Sequence, residues 1–208
     1  MKEPIRCTWP GTDPAYVRYH DEEWARPRIS DRELYERICL EGFQAGLAWI
    51  TILRKRPAFR EVFLDFDLEK VAAFGKRDVQ RLMGDARIVR SQPKIEAAIQ
   101  NARAAIGLIG LEGSLAKVIW AHAPGKRTVR KTSADIPAIT AESTALSKFL
   151  RKAGFNFVGP TTLYALLQAA GVVNDHLARC HVRLEVEAEQ LEASARVHRM
   201  GQGGASRP

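Results

Sequence analysis

An all-helical fold is what this sequence of 208 residues predicts, and three observations carry the expectation. Polar helix starts and glycine or proline stops recur along the chain. Apolar residues return every three or four positions between them, and no segment sustains the strict alternation of a half-buried strand. With 46% hydrophobic residues, the chain has enough apolar surface for one domain with a substantial core.

The elements follow in order. Ser30-Asp31-Arg32-Glu33 has the form of a capping box, opening a helix whose core face includes Leu34, Ile38, Glu41 and Ala45. The run ICLEGFQAGLAWITIL, residues 38–53, is otherwise apolar around that lone carboxylate. It is shorter than the roughly 20 apolar residues of a bilayer span and is interrupted by Gly42, Gln44 and Gly46, so it belongs in a soluble core. A carboxylate there requires dedicated donors, a neutralising shift or a cationic ligand.

A helical pattern over 69–83 precedes the turn-like GDARIVRSQP, and Pro93 stands in the first turn of KIEAAIQNARAAIGL. This predicts a helix, a tight hairpin and a second helix near 79–107. Thr140 caps AESTALSKFLRKA, which Gly154 ends, and a further helix from Pro160 to Ala170 stops at Gly171. The stretch 121–140 reads as a basic surface connection. The predicted domain is 1–184. Residues 185–208 form a tail with a short amphipathic helix and a Gly-rich end, GQGGASRP, of disordered composition.

Charge narrows the partners. The net charge is +8, and residues 181–208 hold four Arg and four Glu, so the whole excess lies in 1–180. A basic body suits nucleic acid or another anionic surface. The N-terminal MKEPIRCTWPG has no apolar signal region, which predicts a cytoplasmic protein with no membrane association. Three cysteines argue against a disulfide framework and for metal binding or burial.

Cys7 and His20 near the start, with His176 and Cys180 one helical turn apart, have the composition of a closed tetrahedral zinc set; unrelated residues remain the alternative. Such a metal staples the fold and does not activate water. Cys39, inside the apolar run, is expected to be a packing residue. Trp9, Tyr16, Tyr19, Trp24 and Trp49 gather in the same segments as these ligands and Glu41. Alone they read as packing residues. Beside a carboxylate they have the composition of a pocket for an extruded purine, in which stacking holds the ring and the acceptor reads an exocyclic amine. Arg54-Lys55-Arg56, Lys126-Arg127 and the lysines of 148–152 fit solvated faces, whereas Arg90 and Lys94 at the hairpin are placed for phosphate.

CTW at 7–9, DPAYVRYHDEEW at 13–24, ICLEGFQAGLAWITIL at 38–53 and GFNFVGPTTLYALLQAAGVVNDH at 154–176 closely resemble the 3-methyladenine DNA glycosylase I family, with the likeness running from residue 6 to 180. The resemblance implies a helix-hairpin-helix DNA glycosylase fold whose N- and C-terminal segments are joined by one structural zinc. It implies an enzyme that flips 3-methyladenine from alkylated double-stranded DNA and hydrolyses its glycosidic bond. Cys7, His20, His176 and Cys180 match the family's zinc ligands. Glu41 and Tyr19 match the residues that hydrogen-bond the base, Trp49 the one that stacks on it, and Tyr16 and Trp9 the pocket lining. Leu47 lies in the segment expected to approach the gap left in the duplex.

Arg87 stands where the family usually has Gly, SQPK replaces a more basic stretch, and Ala25 replaces Gly. No Asp lies between Asp85 and Asp135, where wider helix-hairpin-helix glycosylases carry an activating one, so a narrow range of easily lost bases is expected. The expected enzyme is monomeric and monofunctional, without lyase chemistry at Lys94, and tolerates deletion of 185–208. The runner-up is a non-catalytic, zinc-stapled module that binds damaged DNA or flipped bases; a zinc-containing basic domain with another partner is a weaker third.

Overall fold

The structure, a computed structural model, describes residues 3–202. Among these the chain is helical, and its extended pairing is one isolated bridge between Arg130 and Leu177. Helix α1 (Pro14–Glu22) starts on Asp13, whose carboxylate accepts from the amides of Ala15 and Tyr16 at 3.0 and 3.1 Å.

Helix α2 (Asp31–Gln44) begins at the expected residue without the expected box. Ser30 makes no side-chain cap, and Asp31 Oδ1 instead accepts from Leu115 N at 2.7 Å. That amide belongs to the first turn of α7 (Leu115–Trp120), where it lacks a partner in its own helix. One carboxylate therefore ties two helix starts together. Every residue of α2 from Leu34 to Phe43 is buried, and the helix packs on α3 (Trp49–Val62), α6 (Gln92–Glu112) and α9 (Pro160–Ala169). It is the central rod on which Glu41 sits. Ala45 is exposed and lies in the turn beyond the helix, contrary to its expected place on the core face.

The pattern over 69–83 is two helices, α4 (Leu68–Ala72) and α5 (Lys76–Gly84), broken at Phe74-Gly75. Asp78 accepts from Gly75 N at 3.0 Å, and Arg103 of α6 donates to the freed carbonyls of Ala72 and Phe74 at 2.8 and 3.0 Å. The break persists because these backbone groups find partners from outside. Pro93 occupies the first turn of α6 as expected, and that helix runs on to a stop at Gly113 (φ 89°).

The cap of α8 (Ala141–Lys152) is the expected one: Thr140 and Ser143 exchange side-chain and amide hydrogen bonds of 3.0 and 3.2 Å. After α9 comes Gly171 at φ 75°, where a Cβ would lie 2.5 Å from the backbone of Arg26. Only glycine fits that close approach.

Two segments are more integrated than their composition suggests. In 121–140, Arg130 Nε donates to the buried Asp175 at 2.8 Å, and Ala178 N donates to Arg130 O at 2.7 Å. The tail forms α10 (Arg183–Gln202), which lies on α7 with Val186, Gln190 and Val197 buried. Of the Gly-rich end, Gly201 and Gln202 fall within this helix, and the disorder expected beyond them concerns residues outside those described. No helix among the described residues is long and apolar enough to cross a membrane.

Candidate functional site

Two neighbouring sites form where α1, α2 and the chain after α9 meet. In the first, Cys7, His20, His176 and Cys180 bring four ligand atoms within 4.8 Å of one another, all buried. Cys180 Sγ lies 3.4 Å from His176 Nδ1 and 3.5 Å from His20 Nε2, and Cys7 Sγ lies 3.7 Å from His176 Nδ1. The outer ring nitrogens are held by fixed partners: His20 Nδ1 is 2.7 Å from Asp21 Oδ1, and His176 Nε2 is 3.2 Å from Trp24 O. Arg6 in turn clamps Asp21 in a fork of 2.7 to 3.0 Å. Two imidazoles oriented this way, together with two sulfurs, form a group that could hold a metal ion. Cys39 stands apart, buried in α2.

The second site is a cavity of about 240 Å³ walled by Trp9, Tyr16, Tyr19, Trp24, Trp49 and Glu41. Its size admits one heteroaromatic base and is below the roughly 300–1,000 Å³ of pockets for larger ligands. Trp9 meets Tyr16 and Trp24 edge-on at 4.8 and 5.1 Å, and the Tyr19 and Trp49 rings lie 5.5 Å apart. Helix α1 supplies both tyrosines, α2 the carboxylate and the first residue of α3 the indole of Trp49.

The polar atoms in this wall are unspent. Glu41 is 4% exposed, and its Oε2 has no hydrogen-bond partner among the described residues. Neither do the buried indole N–H groups of Trp9 and Trp49. A native core leaves few buried polar groups unpaired, so an acceptor and two donors around one cavity mark a place for a polar ligand. Burial pushes the Glu41 carboxyl up to about 8, with the charge of Arg37 opposing. Of the three ways the sequence allows such a carboxylate to persist, the protein by itself shows the neutralising shift: no donor among the described residues reaches Oε2, and burial favours the acid form at neutral pH.

Arg37 and Glu23 are functional neighbours that the sequence does not single out. Arg37, one turn before Glu41, is buried with its guanidinium 5.7 Å over the Tyr19 ring and donates to Glu23 at 3.1 Å. Although burial opposes it, the hydrogen bond and charge of Arg56 together with Arg37 hold the Glu23 carboxyl down to about 2. The spacing from Arg37 to Glu41 was visible in the sequence; the pairing with Glu23 was not. Ile136, Gln168 and Ala169 close the far wall, and nothing local in the sequence announces them.

The expected DNA-facing residues separate. Leu47 is exposed in the turn after α2, and Arg90 is exposed with no hydrogen bond or ion pair among the described residues. Lys94 turns inward instead, donating to Phe43 O at 2.9 Å and Ala45 O at 2.6 Å. It caps α2 and fixes the turn that carries Leu47. Arg87 is tied to Asp85 and Glu61, while Lys55 holds the hairpin carbonyls of Ala86 and Arg87 at 3.1 and 3.0 Å. A larger cleft of about 1150 Å³ lies between α5 and α6 beside Phe157, away from both sites. It gathers no comparable set of unpaired buried groups among the described residues.

The methyladenine glycosylase family profile matches residues 9–183. The chain is 47% identical to DNA-3-methyladenine glycosylase 1 of Escherichia coli K12 over 178 residues, 84% of this chain and 95% of the relative. A crystal structure of 3-methyladenine DNA glycosylase I superposes with a TM-score of 0.82 at 44% identity, over 85% of this chain and 98% of that one. The Staphylococcus aureus enzyme, solved as a structural basis of 3-methyladenine recognition, gives a TM-score of 0.82 at 36% identity, over 86% of this chain and 96% of that one. The helices, the aromatic cavity and these likenesses agree: the chain belongs to the methyladenine glycosylase family.

Proposed function

We propose that this protein repairs alkylated double-stranded DNA by flipping 3-methyladenine into the aromatic cavity and hydrolysing its N-glycosidic bond, leaving an abasic site. The observation that carries the reading is the unpaired Glu41 Oε2, buried in an aromatic wall beside the unpaired indole N–H groups of Trp9 and Trp49. Methylation at N3 makes the nucleotide's base cationic. Such a base stacks on Trp49 and offers its amine to Glu41, and its positive charge draws the carboxyl into the ionised form, which neutral adenine does not, so the charged base is favoured. Tyr19, whose phenol is pushed up by burial, stays a neutral donor, and Tyr16 and Trp9 shape the rest of the wall.

Departure is easy because the base takes the electron pair of the bond from C1′ to N9 and becomes neutral. Water adds to C1′ and gives its proton to solvent. Glu41 acts as reader and electrostatic discriminator. We read the reaction as monofunctional hydrolysis without a Schiff base, with Lys94 serving to hold two carbonyls at the C-terminal end of α2.

The metal is one structural zinc. Tetrahedral ligands at zinc distances lie about 3.3–3.8 Å from one another, and three of the four sulfur–nitrogen pairs have that spacing, at 3.4, 3.5 and 3.7 Å, within a group spanning 4.8 Å. Zinc there would join the N-terminal segment to the segment after α9. Leu47 fills the gap left by the flipped base, and Arg90 meets phosphate. Three unpaired buried cysteines fit a reducing cytoplasm, and the protein works as a monomer. The deciding experiment is release of free 3-methyladenine from alkylated duplex by the purified protein. Duplex binding without base release would leave a recognition module in place of an enzyme.

A further inference from the structure

The family match ends at residue 183, where α10 begins, yet α10 reaches the wall of the base cavity through the turn that follows α1. Gln190 of α10 is fully buried, and both ends of its amide are used. Nε2 donates to Ala25 O at 2.8 Å, and Oε1 accepts from Arg127 at 3.0 Å. Glu189, next to Gln190, and Glu185, one turn before Glu189, both accept from Arg26 Nη1, and the same guanidinium donates to Asp21 O at 3.0 Å. The other side of this turn is pressed on Gly171, and Arg28 N donates to Ala170 O at 2.9 Å.

Ala25 is the residue that needs such support. It lies at φ 63°, in the left-handed region where an L side chain is strained, and it has no exposed surface. Immediately before it stands Trp24, whose ring forms part of the cavity and meets Trp9 at 5.1 Å and the His176 ring at 4.7 Å. The backbone geometry at Ala25 therefore bears directly on where Trp24 is held.

We propose that α10 is a brace for the base cavity: Gln190, Glu185 and Glu189 hold the strained turn at Ala25 and Arg26 and thereby fix Trp24 against the bound base. Gln190 is a positioning residue, acting through Ala25 and Trp24 without touching the ligand. This rests on the reading of the aromatic cavity as the base site, and it gives the tail a role that its composition did not suggest.

The test uses the full chain with Gln190→Leu, Glu185→Gln/Glu189→Gln and Glu41→Gln, and with Ala25→Gly added to the Gln190→Leu protein. Affinity for free 3-methyladenine is read from tryptophan fluorescence, together with kcat and KM for base release, duplex affinity and metal content. Gln190→Leu should weaken base affinity about 5- to 10-fold, the scale of one lost buried hydrogen bond, with duplex affinity and metal content unchanged. The Glu185→Gln/Glu189→Gln protein should show a smaller loss of the same kind. Ala25→Gly should restore most of the Gln190→Leu loss, because glycine occupies the left-handed region without strain.

Wild-type base affinity in Gln190→Leu overturns the brace, and so does a loss that Ala25→Gly leaves unrepaired or that is matched by loss of metal. Glu41→Gln separates the two levels. Its failure to alter base binding retires the cavity reading and the brace with it; altered binding there beside an unchanged Gln190→Leu retires the brace alone.

Discussion

The two sites share a wall, and their polar atoms are treated in opposite ways. In the Cys/His cluster the atoms facing outward are committed: His20 to Asp21, His176 to Trp24 O, and Cys7 Sγ to the amide of Leu177. In the cavity next door, Glu41 Oε2 and two indole N–H groups have no hydrogen-bond partner among the described residues. Trp24 belongs to both, lining the cavity while its carbonyl orients a ligand of the cluster. The contrast separates a site for a permanent ligand from a site for a visitor. Oriented outer atoms preorganise a metal that stays, whereas unpaired inner atoms are satisfied only while a base is bound.

Metal removal should have the largest effect of all. Chelation, or Cys7→Ser, should cost on the order of 10 kcal/mol and unfold the N-terminal segment and the segment around Cys180 together. Thermal unfolding with and without chelator, alongside metal analysis, is the measurement; a stable, active, metal-free protein would retire the zinc. Cys39→Ser is the control and should retain its metal, since that thiol is buried away from the cluster.

Emptying the cavity of its chemistry comes next. Glu41→Gln keeps the size and an acceptor but loses the charge, and should weaken base binding roughly 10- to 100-fold with slower base release. Trp49→Ala should give the same pattern by removing the stacking face. Duplex affinity at fixed salt should barely change in either, because phosphate contacts supply most of it. Equal base binding in wild type and Glu41→Gln would sink the cavity as the base site.

The same substitution should stabilise the protein without ligand, with a defined pH dependence. A carboxyl raised from 4.5 to about 8 binds its proton more tightly in the folded state. Its contribution is therefore fully present below the unfolded value and is lost as pH rises through the folded one. Wild type should lose stability relative to Glu41→Gln between about pH 5 and pH 9, with the gap largest at the alkaline end. Melting temperatures of both proteins across that range decide it; a constant gap means that Glu41 does not titrate there.

Lys94 carries the smallest expected effect. Borohydride should trap no covalent complex with DNA. Lys94→Ala should reduce base release only a few-fold, by loosening the turn that presents Leu47. A trapped adduct that disappears in Lys94→Ala would instead make the lysine a nucleophile.

Much of this molecule is legible in short stretches of its chain. The stops at Gly154 and Gly171 and the cap at Thr140 follow from local backbone chemistry and stand where expected. So does the start of α2, although Asp31 spends its carboxylate on another helix instead of a box. The break at Gly75 escaped the periodic pattern because Arg103, from a different helix, satisfies the carbonyls that the break exposes. Lys94 illustrates the same limit at the site: its place at a helix start suggested phosphate, and only the fold shows the carbonyls of Phe43 and Ala45 within its reach.

By itself the sequence determined the helical period, the helix ends, and the residue types that make an aromatic pocket and a Cys/His cluster, since each is a property of near neighbours or of composition. Tertiary structure alone decided which polar atoms are spent and which are left over. Glu41 is unpaired, Glu23 is locked between Arg37 and Arg56, and Gln190 reaches Ala25 across 165 positions of chain. Hydrogen-bond satisfaction is settled by whatever the fold brings within about 3 Å, and sequence separation carries no information about that.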